Sequence, residues 1–297
     1  MELIRERAAF RDASAEARGS GRSVGFVATM GSLHDGHRSL LARGREDVEV
    51  LTMSIFVNPL QFGREEDPAA YPRDLDRDLE ISGREGVDIV FAPTAEEMYP
   101  AGRTEVSVDP GPLGDRLEGA SRPGHFRGVC TVVAKLFGLV GPCTAYFGEK
   151  DAQQLAVIGR MVSDLDLPAA VVACPTIREP DGLALSSRNV FLSTEERAAA
   201  RCLYEALARA AWLVEGGETD VAALRAEMAK RVGAEPLARI DYAAVVDEHT
   251  FEDVDHVKAP ARALVAATFG DTRLIDNLPV GPGVGENRAD GPGKEDG

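Results

Sequence analysis

Short apolar runs rich in β-branched residues alternate with segments of helical spacing along the first half of the chain, and few architectures accommodate that rhythm. The runs are Val24–Ala28, Val50–Val57, Val87–Phe91, Thr144–Phe147 and Ala169–Cys174; helical spacing falls around Ser39–Arg45, Pro72–Arg84, Val129–Val140 and Gln153–Leu165. The strands are continuously hydrophobic, as parallel strands covered by helices on both faces must be. The expected fold is α/β, with a doubly wound parallel sheet over residues 1–176.

After Pro175 the pattern changes. Ser193 followed by Thr194, Glu195 and Glu196 forms a capping-box start, and one long Ala/Leu/Arg helix is expected to run from there to about Glu215. A second helix is expected over Val221–Val232, then strands at Ile240–Val246, Arg262–Thr268 and Arg273–Asp276. Residues 177–280 are therefore expected to form a smaller α+β C-terminal lid domain. Residues 281–297 combine glycine, proline and charge with almost no apolar content and are expected to be a disordered tail.

A chain of 297 residues, 44% of them hydrophobic, can bury a substantial core. Its four cysteines (Cys130, Cys143, Cys174 and Cys202) have neither C-x-x-C spacing nor a disulfide rhythm, and read as reduced, mostly buried thiols. The first twenty residues lack the apolar core of a signal peptide, and no run of eighteen apolar residues occurs, so a soluble cytoplasmic protein without membrane partners is expected. A formal charge of −16 disfavours nucleic acid, whose backbone needs a broad basic face. It does not exclude a nucleotide, because exposed charges beyond roughly 10 Å are screened at about 0.1 M salt and local cations decide.

Four segments carry candidate chemistry. Where the VGFVA strand ends, Met30, Gly31, Ser32, Leu33, His34, Asp35, Gly36 and His37 lead into a helix. A helix N-terminus, two glycines and two imidazoles at a strand end suit a phosphate group; the plainer possibility is that the histidines only cap the helix and face solvent. A second strand ends at Gly148, Glu149, Lys150 and Asp151, where lysine can serve as a point charge for phosphate, with Gln153 and Gln154 in the next turn. That segment taken alone is equally a surface ion pair at a helix start. A third, running from Arg178 through Leu185, Ser186, Ser187, Arg188 and Asn189, offers two hydroxyls beside a guanidinium, or ordinary loop chemistry. The fourth, Phe56 to Phe62, sets the amides of Asn58 and Gln61 among apolar residues, suited to a small polar acid or to a simple Asn-Pro turn.

Read in order, the strings TMGSLHDGH, FVNPLQF, YPRD (Tyr71–Asp74), MYPAG, RPGHFRGV, TVVAKLF, YFGEKDAQQL and IREPDGLALSSRN, with TRLIDN near the end, closely resemble the pantothenate synthetase (pantoate–β-alanine ligase) family. The resemblance spans about Val24 to Asn277 and implies a Rossmann-like sheet of the nucleotidyltransferase superfamily. It implies that His34, His37, Lys150 and Arg188 act in catalysis, His37 as proton donor, and that Ser186 and Ser187 join them around the triphosphate of ATP. Met30, Gly148, Asp151, Ile177 and Leu185 match the adenosine pocket; Gln61 and Gln154, helped by Asn58, match the pantoate site; Asp78 is the implied ligand of Mg2+. Arg122 and Arg127 fall in a family motif to which no role is assigned, and Ala28 stands where the family usually has proline, which should alter the packing beside the acid.

The implied reaction is ATP-dependent condensation of (R)-pantoate with β-alanine through a pantoyl adenylate, giving pantothenate, AMP and pyrophosphate, in a homodimer. A nucleotidyltransferase of the same superfamily is the competing expectation; it would stop at a stable nucleotidyl product and lack the paired Gln61 and Gln154. A noncatalytic nucleotide sensor would not need His34, His37, Lys150 and Arg188 intact. An aminoacyl-tRNA synthetase is disfavoured by the acidic balance and by the lack of an anticodon-binding extension.

Overall fold

The computed structural model describes residues 1–63, 71, 73–102 and 104–283. Most of the expected tail and Pro72 of the Tyr71–Asp74 segment lie outside the described residues. Two compact units are present: Met1–Arg178 with Leu185–Ser187, and Glu179–Ala184 with the chain from Arg188 onward.

The first unit runs β1 (Glu2–Ile4), α1 (Arg7–Gly19), β2 (Val24–Thr29), α2 (Asp35–Asp47), β3 (Val50–Ile55), α3 (Leu75–Arg84), β4 (Ile89–Phe91), α4 (Ala95–Met98), α5 (Glu118–Ser121), α6 (His125–Val140), β5 (Cys143–Gly148), α7 (Ala152–Asp164) and β6 (Ala169–Cys174). Among the described residues its sheet is six-stranded, in the order β1-β4-β3-β2-β5-β6, and every pairing is parallel. The two-residue period of a strand sorts its side chains. Val24, Phe26, Val50, Phe91 and Phe147 join one core with α1, α6 and α7, while Val27, Leu51, Met53, Val90 and Tyr146 join another with α2 and α3. Each large apolar side chain buried this way contributes about 1.5–3 kcal/mol.

The order of the strands positions the site. From β2 the chain winds to β3 on one side, and from β5 it winds to β6 on the other, so neighbouring β2 and β5 flank the point where the winding reverses. Loops leaving their carboxyl ends diverge there and open a crevice. Those loops are residues 30–34 and the turn Glu149–Asp151.

Strand β1 and helix α1 lie outside the elements expected from the sequence. The buried face of α1 is short: Phe10, Ser14 and Ala17 are buried, and Phe10 stacks on Phe91 with ring centroids 4.6 Å apart.

The second unit comprises α8 (Thr194–Ala199), α9 (Cys202–Glu215), α10 (Val221–Gly233), β7 (Ala238–Asp247), β8 (Ala261–Phe269) and β9 (Thr272–Val280). Its described strands form an antiparallel sheet in the order β7-β8-β9, packed through Ala263, Val265 and Ala267 in one core with Leu203, Leu207, Leu224 and Met228. Both halves of the Ser193–Glu196 capping box form. The single long helix expected after it is instead two helices. Leu203 N–H bonds Ala200 O at 3.2 Å, three residues back, and this tighter turn breaks the run without proline or glycine. Arg197 of α8 donates to Glu179 and Asp181, which ties that turn to the second unit.

Cys130, Cys174 and Cys202 are buried, Cys143 is half-buried, and all four are free thiols. No helix among the described residues is long and apolar enough to cross a membrane.

Candidate active site

The loop after β2 is built around consecutive left-handed residues, Gly31 (φ +88°) and Ser32 (φ +54°). Glycine is required at the first: besides the φ, a Cβ there would lie 2.8 Å from Asp78 Oδ2. The turn aims two adjacent N–H groups at one carboxylate, Ser32 donating to Asp78 Oδ2 (2.9 Å) and Leu33 to Asp78 Oδ1 (2.8 Å). Such a nest of amides holds an anion. Here the anion is a side chain of the protein, brought in by α3.

His34 is the N-cap of α2, and its Nδ1 accepts the Gly36 N–H at 3.1 Å. His37 Nδ1 in turn accepts the His34 N–H at 3.3 Å, and the two rings stand 4.1 Å apart. A nitrogen that accepts from an amide carries no proton, so each neutral ring must be protonated at Nε2. The reciprocal cap therefore fixes the tautomer and leaves two Nε2–H donors. The histidines do cap the helix, but both are half-buried rather than fully solvated. Burial, followed by the neighbouring charge of His34, pushes the His37 pKa down to about 3; burial and the charge of Lys150 lower that of His34. Asp35, the first residue of α2, is exposed and pairs with Arg38 at 2.9 Å.

Gly148 closes β5, and Glu149, Lys150 and Asp151 form the turn before α7. The Lys150 side chain is only 20% exposed, with Nζ 3.6 Å from Asp151 Oδ1. Charges on Lys150 and Asp151 act on both imidazoles with opposite sign, so the crevice gathers His34, His37, Lys150 and Asp151 in one electrostatic neighbourhood. Ile177 and Leu185 are paired, with Leu185 N–H bonding Ile177 O at 3.0 Å. Ser186 and Ser187 belong to the first unit, where Ser187 Oγ is 3.3 Å from the Tyr71 hydroxyl. Arg188 belongs to the second unit.

Gln61 ends the turn Pro59–Gln61, its Nε2 donating to Met30 Sδ at 3.0 Å, which joins the loop after β3 to the loop after β2. Asn58, expected to help bind the acid, is buried with its amide committed inside the protein. Its Oδ1 accepts from Tyr99 Oη (2.7 Å) and Leu60 N–H (3.3 Å), and its Nδ2 donates to Gly128 O (3.1 Å) and Gln61 Oε1 (3.2 Å). It orients Gln61. The adjacent glutamines separate in the same way: Gln154 is half-buried on the first turn of α7, whereas Gln153 is buried, accepts from Glu118 N–H and donates to Leu113 O and Arg116 O. Sequence reasoning misses Gln153 as a tether, and misses His125, whose ring reaches the Gln61 carbonyl 64 residues away.

Asp78, the implied ligand of magnesium, already accepts one amide of the Gly31–Leu33 turn on each of its two oxygens, which gives it a role in holding that turn. No group of three or more His, Cys, Asp or Glu able to hold a metal ion occurs among the described residues.

The half-buried His37 and His125 predict how stability depends on pH. The pKa values of His37 and His125 fall from 6.5 to about 3 and about 4 on folding, so below pH 6.5 the unfolded chain binds protons that the folded chain refuses. Their contribution is fully present above pH 6.5 and is lost as pH falls towards the folded values, at up to about 1.4 kcal/mol per pH unit for each ring. Urea midpoints should decline from pH 7.5 to 5.0, and a flat profile would contradict this.

The family described as pantoate-beta-alanine ligase matches residues 2–279. A pantothenate synthetase of Heliobacterium modesticaldum is 54% identical over 280 residues, covering 94% of this chain and 98% of that protein. One from Rubrobacter xylanophilus is 51% identical, over 93% of this chain and 97% of its own. The crystal structure of a Thermus thermophilus pantothenate synthetase superposes with a TM-score of 0.88 at 49% identity, covering 95% of this chain and all of that one (100%). A pantoate-beta-alanine ligase from Francisella tularensis, complexed with beta-gamma ATP and beta-alanine, superposes with a TM-score of 0.77 at 33% identity, over 94% of this chain and 97% of its own. The resemblance read from the ordered motifs is borne out, and the chain belongs to the pantoate-beta-alanine ligase family.

Proposed function

We propose that this chain condenses (R)-pantoate with β-alanine at the expense of ATP, through a pantoyl adenylate. The observation that carries the reading is the pair of neutral imidazoles with fixed Nε2–H donors, beside Lys150 at the reversal of the sheet, with Gln61 held against Met30. A carboxylate is a poor acyl donor because its oxygen is a poor leaving group. Activation requires a pantoate oxygen to bond the α-phosphorus while the bond to the bridging oxygen breaks and pyrophosphate leaves with the electron pair. His34 and His37 donate through Nε2, and Lys150 through its ammonium, to oxygens on which charge accumulates. His37 stands where the resemblance implies the proton donor, and as a neutral ring it serves there by donating the Nε2–H hydrogen bond. Gln61 and Gln154 orient pantoate with neutral amides, so the attacking carboxylate is not trapped in an ion pair. The β-alanine amine then attacks the acyl carbon, AMP departs with the C–O electron pair, and the amine proton passes to solvent. No enzyme nucleophile is needed; positioning and exclusion of water do most of the work.

The roles of Ser186, Ser187 and Arg188 toward phosphate, and of Met30, Gly148, Asp151, Ile177 and Leu185 toward adenosine, rest on the family resemblance. Magnesium is proposed to arrive on the triphosphate oxygens, the usual arrangement for a small ion that dehydrates reluctantly. The enzyme is proposed to act in the cytoplasm as a homodimer, which a single-chain mass in sedimentation would contradict.

Pyrophosphate release should require pantoate. Without β-alanine it should stop near one equivalent per active site, and with β-alanine it should continue with equal yields of AMP and pantothenate. A stable nucleotidyl product that β-alanine does not discharge would instead identify a nucleotidyltransferase.

A further inference from the structure

The motif RPGHFRGV contains two arginines and a histidine that the proposed chemistry does not use. The structure sets it against the Pro59–Gln61 turn. His125 opens α6, and its Nδ1 lies 2.9 Å from the backbone carbonyl of Gln61. Its Nε2 lies 3.3 Å from Arg122 Nη1. A guanidinium only donates, so Nε2 must be the acceptor, the ring must be neutral, and the proton must sit on Nδ1, where it bonds Gln61. This tautomer is the opposite of the one the helix cap imposes on His34 and His37. One turn further along α6, Gly128 accepts from Asn58, and a Cβ at Gly128 would come within 2.2 Å of Leu60 O and 2.6 Å of Gln61 N. Helix α6 thus grips the turn by one imidazole bond, one amide bond and a contact that only glycine permits.

We propose that His125 is a positioning residue for pantoate, holding the Gln61 side chain in register through the Gln61 carbonyl, with its tautomer set by Arg122. This rests on the reading that Gln61 binds pantoate. The ring touches no group assigned to phosphate transfer, so it acts through Gln61 rather than on the reacting atoms. Burial first, and the Arg122 charge second, push its pKa down to about 4. The Gln61 carbonyl and the carboxylates of Glu118 and Asp151 oppose that shift without overcoming it, so the ring stays neutral at physiological pH.

Asparagine places an amide N–H where Nδ1 stands, and alanine places nothing there. Replacement His125→Ala should raise the KM for pantoate about fivefold to tenfold, the worth of one neutral hydrogen bond, with the KM for ATP within about twofold of wild type. His125→Asn should recover most of the loss. Equal impairment of the two variants, or parallel rises in both KM values, would reduce His125 to a packing residue and overturn the proposal. Nitrogen-15 spectra of histidine-labelled wild-type enzyme at pH 7, assigned by the signal missing from His125→Asn, provide a readout independent of activity and of whether the alanine variant folds. A neutral, Nδ1-protonated ring is expected; an imidazolium or an Nε2-protonated ring would overturn the proposal. If the tautomer is as expected but wild-type enzyme does not turn over pantoate, the functional reading fails and the contact between His125 and Gln61 stands.

Discussion

His37→Asn should reduce kcat by about 10²–10³ while leaving the thermal midpoint nearly unchanged. The asparagine carbonyl can stand where Nδ1 stands and accept the His34 N–H, so the cap of α2 survives. What disappears is the N–H at the Nε2 end, the only part of the ring assigned to the reacting phosphate. His37→Gln makes the converse change: its longer amide reaches towards the Nε2 position but gives up the cap, so it should keep more activity than asparagine and lose more stability. Single-turnover pyrophosphate release, paired with thermal melts, separates the effects. If asparagine retains near wild-type kcat, the Nε2–H of His37 has no part in the reaction.

Asp78→Ala should be almost as damaging to turnover, and for a different reason. It leaves the Ser32 and Leu33 amides without their acceptor, at about 1–3 kcal/mol for each group that water cannot reach. The two left-handed residues before α2 would then lack the group that holds them, and the histidines that follow would lose their placement. The thermal midpoint should fall in the absence of any nucleotide, and raising magnesium should not restore activity. Recovery at high magnesium with an unchanged midpoint would return Asp78 to the role of metal ligand.

The difference between those two aspartate roles marks what can be read from sequence alone. Strands β2, β3 and β5 are legible because both faces are buried, which forces unbroken apolar runs such as VGFVA. The crevice between β2 and β5 follows from strand ends meeting glycine and histidine. Helix α1 escapes a reading that weighs the first twenty residues only as a leader, although Phe10, Ser14 and Ala17 already mark one face. The break between α8 and α9 leaves no mark, since alanine and arginine suit a tight turn as well as a helix. Among the polar residues, a motif states which side chains are available but not where each one spends its hydrogen bonds. Asn58, Asp78, Gln153 and His125 each bond a backbone group far away along the chain, such as Gly128 for Asn58 and Gln61 for His125. Spacing along the chain cannot disclose such partners. Ala28 sits in the β2 ladder opposite Ser54, where the parallel pairing is intact.

The division of the chain at Ile177–Leu185 bears on how the enzyme can be dissected. The backbone leaves the first unit after Arg178, returns for Leu185–Ser187 and departs again at Arg188. A gene truncated at any single codon in this stretch would strip a strand partner or a serine from one half, or leave the other without the turn its arginine anchors. Separately expressed halves are therefore poor surrogates, and engineering that grafts either half onto another scaffold should carry the hairpin whole.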